Sequence, residues 1–324
     1  MRRILITGAA GFVGRHVTAA LAAEPSTTII GIGRGRPDTL PPGVAFYSVD
    51  LLDEAALSAV VAEVRPTDVL HLAAMASVHQ SAGTPTETWR ANVVGLLNLA
   101  DALSRHTSGS TVVFASSGEV YGRAFLAGHA LSEDASPEPV GAYARSKWFG
   151  EQILADVLPR AGIRLVVLRP FNHIGPGQDE RFVVPSFARQ IARIEAGLVP
   201  PVLEVGNLDV LRDFLPIEDV VRAYVGVIAR IEQIASGTVF NVASGRPRTI
   251  ASVLDDLTAL ARVPFTVRVA PDRMRPSEIL MAAGDSSRLT EATGWRPEGN
   301  WTAALASVFD EARSWQRGKN LKVE

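Results

Sequence analysis

The chain has 324 residues, of which 47% are hydrophobic and 20% charged, and its net charge at pH 7 is −2. This composition allows a large buried core, gives no basic footprint for nucleic acid, and contains no apolar run as long as a membrane span. The absence of cysteine excludes disulfides, thiolate metal sites and cysteine nucleophiles. We therefore expect a cytoplasmic protein without a metal site and without a nucleic-acid or membrane partner.

Strand-like segments rich in valine, isoleucine and leucine alternate with helical periodicity through most of the chain. The strands are predicted over 3–7, 28–33, 45–49, 68–72, 111–115, 164–169 and 238–242. The helices are predicted over 12–23, 54–64, 89–106, 143–158, 184–197 and 216–231. Because the strands are apolar without alternation, helices should cover both faces of their sheet. The pattern predicts an α/β fold with a Rossmann-type, doubly wound parallel sheet.

The alternation loosens after residue 169 and ceases from residue 246 onward. We therefore predict two domains. Residues 1–172 and 236–246 would form the Rossmann domain, and residues 173–235 and 247–324 a smaller α/β lobe near the C-terminus. Ligands of open α/β sheets bind beyond the carboxyl ends of the strands, so this lobe should hold the substrate over that edge.

A glycine-rich turn follows the first strand and leads into the first helix, with glycines at 8, 11 and 14. Such a turn lets backbone N–H groups approach a pyrophosphate at the helix N-terminus, where the helix dipole favours negative charge. The G-x-x-G-x-x-G spacing resembles that of the short-chain dehydrogenase/reductases, which bind NAD(H) or NADP(H). The residues assigned to this contact are Gly8, Ala10, Gly11, Phe12, Val13 and Gly14.

The position twenty residues past the last glycine, commonly acidic in NAD enzymes, is Arg34, and Arg36 follows. Two guanidinium groups suit a 2′-phosphate, so we predict NADP(H) as the cofactor. The alternative is a surface turn with two solvated arginines. Asp50 would accept from the adenine amino group, cap the next helix, or both. The remaining cofactor contacts implied by the resemblance are Asp50, Leu51, Leu72, Ala73, Ala74, Asn92, Tyr143, Lys147 and Pro170.

Tyr143 and Lys147 lie one helical turn apart and so share a helix face. A nearby ammonium favours phenolate, which would make Tyr143 an acid or base near neutral pH. With the preceding segment SSGEVYG, residues 116–122, the pair resembles the extended short-chain dehydrogenase/reductases. The resemblance implies that Ser117 holds a substrate carbonyl, Tyr143 transfers a proton and Lys147 binds the nicotinamide ribose. Ser116 would be a second hydroxyl contact or a strand-end cap.

Glu119 keeps a second enzyme class open. Sugar-nucleotide dehydratases of this fold place a catalytic base at this position, and one group of them has Asp-Glu where this chain has Gly118-Glu119. The loss of the first acid disfavours that group but leaves GDP-mannose 4,6-dehydratase as an alternative.

The segment LRPFNHIGPGQ, residues 168–178, ends a strand and turns at Asn172, as in extended family members that bind nucleotide sugars. Diphosphates need cationic clamps, for which arginine has the right geometry. The blocks NHIGPGQ, GNLDV-x-RDF, RPSE and GD-x-S-x-L-x-x-x-TGW resemble those of the GDP-4-dehydro-6-deoxy-D-mannose reductases. The substrate-binding residues so assigned are Ser116, Ser117, Glu119, Asn172, Phe182, Val183, Arg189, Arg212, Arg275 and Glu278, with Glu278 on ribose hydroxyls.

The resemblance implies that NADPH reduces the C4 keto group of a nucleotide-linked 4-keto-6-deoxyhexose. The favoured reaction converts GDP-4-dehydro-6-deoxy-D-mannose to GDP-D-rhamnose. The alternatives are reduction of a dTDP- or CDP-linked sugar, a 4-epimerase with tightly held NAD, which Arg34 disfavours, and the dehydratase. A non-catalytic NADP-binding protein is disfavoured because Tyr143 and Lys147 are both present.

The helices predicted over 89–106 and 143–158 carry more apolar surface than one sheet face needs. Extended family members commonly pair these helices between subunits, so the resemblance implies a homodimer. The apolar residues that suggest it are Val93, Leu96, Leu97, Ala100, Trp148, Phe149, Ile153 and Val157.

Overall fold

The structure is a computed structural model that describes residues 2–25, 27–37, 40–76, 81, 83–274 and 278–320, with side chains described through residue 316. Its strands are β1 (Arg2–Thr7), β2 (Thr27–Gly33), β3 (Ala45–Ser48), β4 (Asp68–His71), β5 (Thr111–Ala115), β6 (Arg164–Pro170), β7 (Asn172–Ile174), β8 (Val202–Val205), β9 (Leu211–Pro216), β10 (Thr238–Val242), β11 (Pro247–Thr249), β12 (Thr266–Val269) and β13 (Met281–Ala282). Its main helices are α1 (Phe12–Ala22), α2 (Glu54–Val64), α3 (Pro85–Trp89), α4 (Gly95–His106), α5 (Gly141–Val157), α6 (Val183–Glu195), α7 (Ile217–Ala229), α8 (Ile250–Thr258), α9 (Ser287–Thr293) and α10 (Trp301–Asn320).

The central sheet has seven parallel strands in the order β3-β2-β1-β4-β5-β6-β10. The chain winds outward from β1 in both directions, so the strand order reverses between β1 and β4. In doubly wound sheets a crevice forms at this point, beyond the carboxyl ends of the strands. The predicted Rossmann-type α/β fold is confirmed, and the strands lie where the apolar runs predict them.

The helix predicted over 89–106 is present, but it begins earlier, at Pro85, and contains one π-helical turn. A π-helical turn at Arg90–Val94 joins α3 to α4. The extra residue in this turn brings Asn92 into the interior, where its side chain is buried and hydrogen-bonded. Such π turns are frequent at functional sites.

Helices cover both faces of the central sheet. On one face α1 and α7 share a buried cluster that includes Val17, Leu21, Val220 and Tyr224. On the other face α2, α4 and α5 form a second cluster with the strands. Helix α7 therefore packs with the Rossmann half, although the sequence places residues 173–235 in the lobe.

The lobe is built around β9. Strand β7 pairs with it in parallel, β13 lies parallel and β11 antiparallel to it, and β8 with β12 forms a separate two-stranded ribbon. Helices α6, α8 and α10 bury residues such as Phe187, Val253 and Phe309 in its core. Because β7 begins two residues after β6, the lobe starts at the carboxyl edge of the central sheet. Among the described residues, no helix has the length and apolar character that crossing a membrane requires.

Candidate active site

A cavity of about 900 Å³ lies over the carboxyl ends of the central strands. The Rossmann half contributes the glycine turn, Arg34 and the segment around Ser117, and the lobe contributes residues of β7 and α6. This volume is at the upper end of the range for small-molecule sites. The cavity therefore places residues from both predicted domains around one potential ligand site.

The glycine turn has a backbone conformation in which a Cβ atom at Gly8 or Gly14 would collide with neighbouring backbone. Gly8 has φ +71°, and a Cβ at this position would lie 2.8 Å from the backbone nitrogen of Ala73. A Cβ at Gly14 would lie 2.1 Å from the carbonyl oxygen of Gly8. The bare turn leaves the N-terminus of α1 facing the cavity, and Gly11 at its N-cap supplies no side-chain cap. These features fit the pyrophosphate of a dinucleotide.

The predicted cofactor residues divide into two groups. Those on the cavity wall are Gly8, Gly11, Phe12, Val13, Gly14, Arg34, Leu72, Ala74, Tyr143 and Pro170. The cavity wall as described does not include Ala10, Arg36, Asp50, Leu51, Ala73, Asn92 or Lys147. Arg34 and Arg36 are both exposed, so the wall position distinguishes Arg34 as the stronger candidate for a phosphate contact.

Asp50 does not cap helix α2. Its carboxylate accepts from the N–H of Leu52, and Asp53 is the N-cap, with its Oδ1 3.0 Å from the nitrogen of Ala56. The capping interpretation of Asp50 is therefore wrong, because the N-cap lies three residues later, at Asp53.

Asn92 connects the cavity wall to α5, the helix that carries the catalytic pair Tyr143 and Lys147. Its Oδ1 accepts from the N–H of Met75 at 2.8 Å, and its Nδ2 donates to the hydroxyl of Ser146 at 2.9 Å. Met75 lines the cavity. Asn92 thus fixes a segment of the wall against α5 from a buried position.

Ser117 and Tyr143 lie together on the cavity wall. Ser117 follows β5 and accepts from the N–H of Glu119 at 3.1 Å, which orders the 3₁₀ turn Gly118–Tyr121. Tyr143 lies in the first turn of α5. Burial raises the pKa of Tyr143 to about 12, although a hydrogen bond with Ser117 acts in the opposite direction. The phenol therefore stays protonated at neutral pH and can act as an acid.

The effect of Lys147 on Tyr143 stays a prediction, because burial shifts the pKa of Tyr143 in the opposite direction. The ammonium of Lys147 is buried and donates to the carbonyl of Ala115 at 2.7 Å. Burial lowers the pKa of Lys147 to about 8, against the attraction of Glu151. The prediction considered helix spacing alone, whereas burial dominates both groups.

Glu119 faces the same cavity as Ser117 and Tyr143. The surrounding protein raises the pKa of Glu119 by desolvating its carboxylate, and Arg212 acts against this shift. Arg212 itself is partly buried, outside the described cavity wall, and donates to the carbonyl of Leu211 at 2.8 Å. Arg212 is thus the charged group that partly offsets the effect of burial on Glu119, although the two residues are far apart in the chain.

Ser116 is not available to a ligand in the cavity. Its side chain is buried, its hydroxyl donates to Glu151, and its N–H donates to the carbonyl of Leu168 at 2.7 Å. The assignment of Ser116 to the substrate is therefore corrected, because its bonds direct it into the protein.

The lobe side of the cavity contains Asn172, Phe182, Val183 and Arg189. Arg189 lies 3.5 Å from the carboxylate of Glu180, and its guanidinium lies 4.2 Å from the centre of the Trp315 ring. Of the two remaining predicted residues, Glu278 is exposed and outside the described cavity wall, and Arg275 lies outside the described residues.

Comparison with known proteins shows which family the chain belongs to. Residues 4–243 match the family described as the NAD dependent epimerase/dehydratase family. The chain belongs to this family. It is 37% identical over 313 residues to GDP-6-deoxy-D-mannose reductase of Pseudomonas aeruginosa, covering 97% of this chain and 98% of the relative.

Two solved structures of family members resemble the chain over nearly its whole length. RMD from Pseudomonas aeruginosa complexed with NADPH has a TM-score of 0.85 at 36% identity, covering 97% of this chain and 100% of that one. UDP-glucose 4-epimerase from Thermus thermophilus in complex with NAD has a TM-score of 0.82 at 31% identity, covering 96% and 99%. The predicted membership in the extended short-chain dehydrogenase/reductases is confirmed.

The sequence analysis did not identify several residues in and behind the cavity of this chain. Trp315 reaches the cavity from the C-terminal helix, with no nearby motif to indicate it. Glu151 and Arg169 form a buried ion pair behind the catalytic pair. For Glu151 a signal was present, because it continues the four-residue spacing of Tyr143 and Lys147 by one more turn.

Proposed function

We propose that the protein uses NADPH to reduce the C4 keto group of a nucleotide-linked 4-keto-6-deoxyhexose, converting GDP-4-dehydro-6-deoxy-D-mannose to GDP-D-rhamnose. The observation that carries this proposal is that Ser117 and Tyr143 lie on the wall of the same cavity as the glycine turn. A phenol that holds its proton at neutral pH is suited to protonate an alkoxide. The similarity to GDP-6-deoxy-D-mannose reductase over nearly the whole chain supports the choice of substrate. Because this reaction consumes NADPH, we place the enzyme in the cytoplasm.

The chain's own residues would act on the carbonyl oxygen. NADPH, when bound, supplies the hydride that arrives at C4. The Ser117 hydroxyl donates a hydrogen bond to O4, and Tyr143 transfers its phenolic proton to O4 as negative charge develops there. The glycine turn would hold the pyrophosphate, Arg34 the 2′-phosphate and Lys147 the nicotinamide ribose.

On the substrate side, we assign the diphosphate to Arg189, because its guanidinium lies on the cavity wall beside Asn172, Phe182 and Val183. Arg212, which lies outside the described cavity wall, and Arg275 remain proposed contacts of the diphosphate. Glu278 remains a proposed contact of the ribose hydroxyls.

A 4-epimerase is the second candidate, because UDP-glucose 4-epimerases also match nearly the whole chain. Epimerases re-reduce their own intermediate and do not consume external NADPH. Arg34 on the cavity wall favours a cofactor with a 2′-phosphate and therefore the reductase.

Substrate assays distinguish these classes. We expect GDP-4-dehydro-6-deoxy-D-mannose with NADPH to give a loss of absorbance at 340 nm, and the dTDP-linked 4-keto sugar to give a much slower loss. NMR of the product assigns the configuration at C4. Interconversion of two sugar epimers without loss of absorbance would indicate an epimerase. Turnover of GDP-mannose that Glu119→Gln abolishes would indicate a dehydratase.

We also propose a homodimer. Two of the apolar residues that suggested the dimer, Leu96 and Ala100, do not support it, because they are buried in the core of the subunit. Three neighbouring residues of α4, α5 and the π turn support the proposal by their exposure: Val94 is 43% exposed, Leu97 41% and Phe149 50%. Trp89 braces Phe149 with ring centres 5.5 Å apart. An exposed apolar patch of this kind favours a partner surface.

Light scattering at micromolar concentration should give twice the 34.6 kDa mass of the chain. Phe149→Glu should reduce this mass to that of one chain, because it places a charge in the apolar patch. The matched control is Leu198→Glu, since Leu198 is 47% exposed in the lobe. A wild-type mass of one chain would contradict the dimer.

A further inference from the structure

A buried polar cluster lies directly behind the catalytic pair and connects three segments of the chain. Glu151 of α5 and Arg169 of β6 form a bidentate ion pair, with Nε 3.0 Å from Oε1 and Nη2 2.7 Å from Oε2. Both side chains are 4% exposed. The hydroxyl of Ser116, at the end of β5, donates to the same Oε1. The carboxylate of Glu151 thus joins the helix that carries Tyr143 to two central strands.

The cluster is placed to control both catalytic segments. Glu151 lies one helical turn beyond Lys147, which lies one turn beyond Tyr143, so the three share one helix face. Ser116 immediately precedes Ser117, and its bonds to Glu151 and to Leu168 fix it through side chain and backbone. Movement of Glu151 would therefore displace groups on both sides of the reacting carbonyl.

Arg169 is itself held in place. Its guanidinium lies 4.9 Å from the centre of the Tyr121 ring and 5.8 Å from that of Trp148. A planar cation between aromatic faces and a bidentate carboxylate has little freedom to move. Glu151 is therefore anchored to a rigid partner.

The surroundings of Lys147 make Glu151 its main source of negative charge. From β5, Lys147 faces the ring of Phe114, 5.1 Å from Nζ, and the carbonyl of Ala115. From β4 it faces His71, whose Nδ1 bonds the hydroxyl of Thr7 at 2.8 Å. Burial lowers the pKa of His71 to about 3, so this ring is neutral near pH 7.

On α5, Tyr143 is neutral at the same pH, since its pKa is raised to about 12. Arg169 of β6 is directed at the carboxylate of Glu151. Glu151 is thus the charged group whose attraction opposes the effect of burial on the pKa of Lys147.

We propose that Glu151, anchored by Arg169 and Ser116, is a positioning residue that keeps Lys147 charged and holds the Ser116–Ser117 segment against Tyr143. The catalytic part of this inference rests on the proposed reductase function, whereas the effect on Lys147 can be measured without substrate or cofactor.

The chain allows a direct test, because its lysines are Lys147, Lys319 and Lys322. In a Lys319→Arg/Lys322→Arg background, NMR of ¹³Cε-labelled lysine reports the titration of Lys147 alone. We expect Glu151→Gln to lower the Lys147 midpoint by about one pH unit, the lower end of the effect of an adjacent opposite charge. Glu232→Gln is the control, since it removes the exposed partner of Arg164, 3.2 Å away, far from the site.

A second variant separates charge from structure. Glu151→Gln leaves Arg169 buried and without its carboxylate, which could prevent folding. Glu151→Gln/Arg169→Gln replaces the pair with two neutral amides that can bond each other, and the Lys147 midpoint should remain low. A midpoint equal to that of the wild type in this double variant would overturn the proposal.

Ser116→Ala tests the other part. It keeps the ion pair and the backbone bond to Leu168 but removes the hydroxyl that joins the Ser117 segment to Glu151, so kcat should fall severalfold while the Lys147 midpoint is unchanged. An unchanged kcat would overturn the positioning of Ser117. If no 4-keto sugar is reduced at all, the proposed function fails, but the lysine titration still decides the role of Glu151.

Discussion

Tyr143→Phe should lower kcat by about 10²–10⁴-fold, the usual contribution of a general acid. The substitution removes only the hydroxyl, so the ring should still fill its place in the first turn of α5. NADPH affinity, followed by the change in nicotinamide fluorescence, should stay close to that of the wild type. A steady-state assay with the 4-keto sugar at saturating NADPH measures the loss.

Tyr47→Phe is the matched control. Its hydroxyl donates to Glu63 at 2.6 Å on the surface, outside the cavity wall as described, so its loss should leave kcat unchanged. If Tyr143→Phe keeps more than about a tenth of the wild-type rate, far above what loss of a general acid allows, another group protonates O4. Glu119 would then be the first group to test, because burial raises its pKa and it faces the same cavity.

The Rossmann half could be predicted from sequence because its signals are local. Apolar runs of strand length, glycines at fixed offsets and a tyrosine–lysine pair at helical spacing each determine structure within a few residues. The backbone around Gly8 and Gly14 shows why, since a Cβ at either position would collide with neighbouring backbone. The cavity-wall positions of Arg34, Ser117 and Tyr143 follow from where these segments end in the sheet.

The parts that could not be predicted depend on contacts between distant segments. The burial of Ser116 requires the positions of α5 and β6, which its sequence neighbours do not determine. The direction of the Tyr143 pKa shift depends on how much protein surrounds the phenol, which helix spacing alone does not determine. The packing of α7 on α1 is also tertiary, because an amphipathic helix does not reveal which domain it covers.

Arg34→Asp should lower the preference for NADPH over NADH by about a hundredfold, mainly through weaker NADPH binding. A charge-assisted hydrogen bond is worth roughly 1.5–3 kcal/mol, and loss of such a contact corresponds to about one to two powers of ten in affinity. The new carboxylate would also repel the 2′-phosphate and accept from the ribose hydroxyls of NADH. The ratio of kcat/KM for the two cofactors, at fixed 4-keto sugar, measures the change.

Arg36→Asp is the charge-matched control. Both arginines are exposed in the turn after β2, but the cavity wall includes Arg34 and, as described, not Arg36. A general effect of charge on the surface potential would lower NADPH binding equally in both variants and weaken with added salt. A specific phosphate contact predicts a large loss in Arg34→Asp and a small one in Arg36→Asp. Equal losses, or a wild-type enzyme that uses NADH as well as NADPH, would remove Arg34 from the phosphate site and with it the main argument against the epimerase.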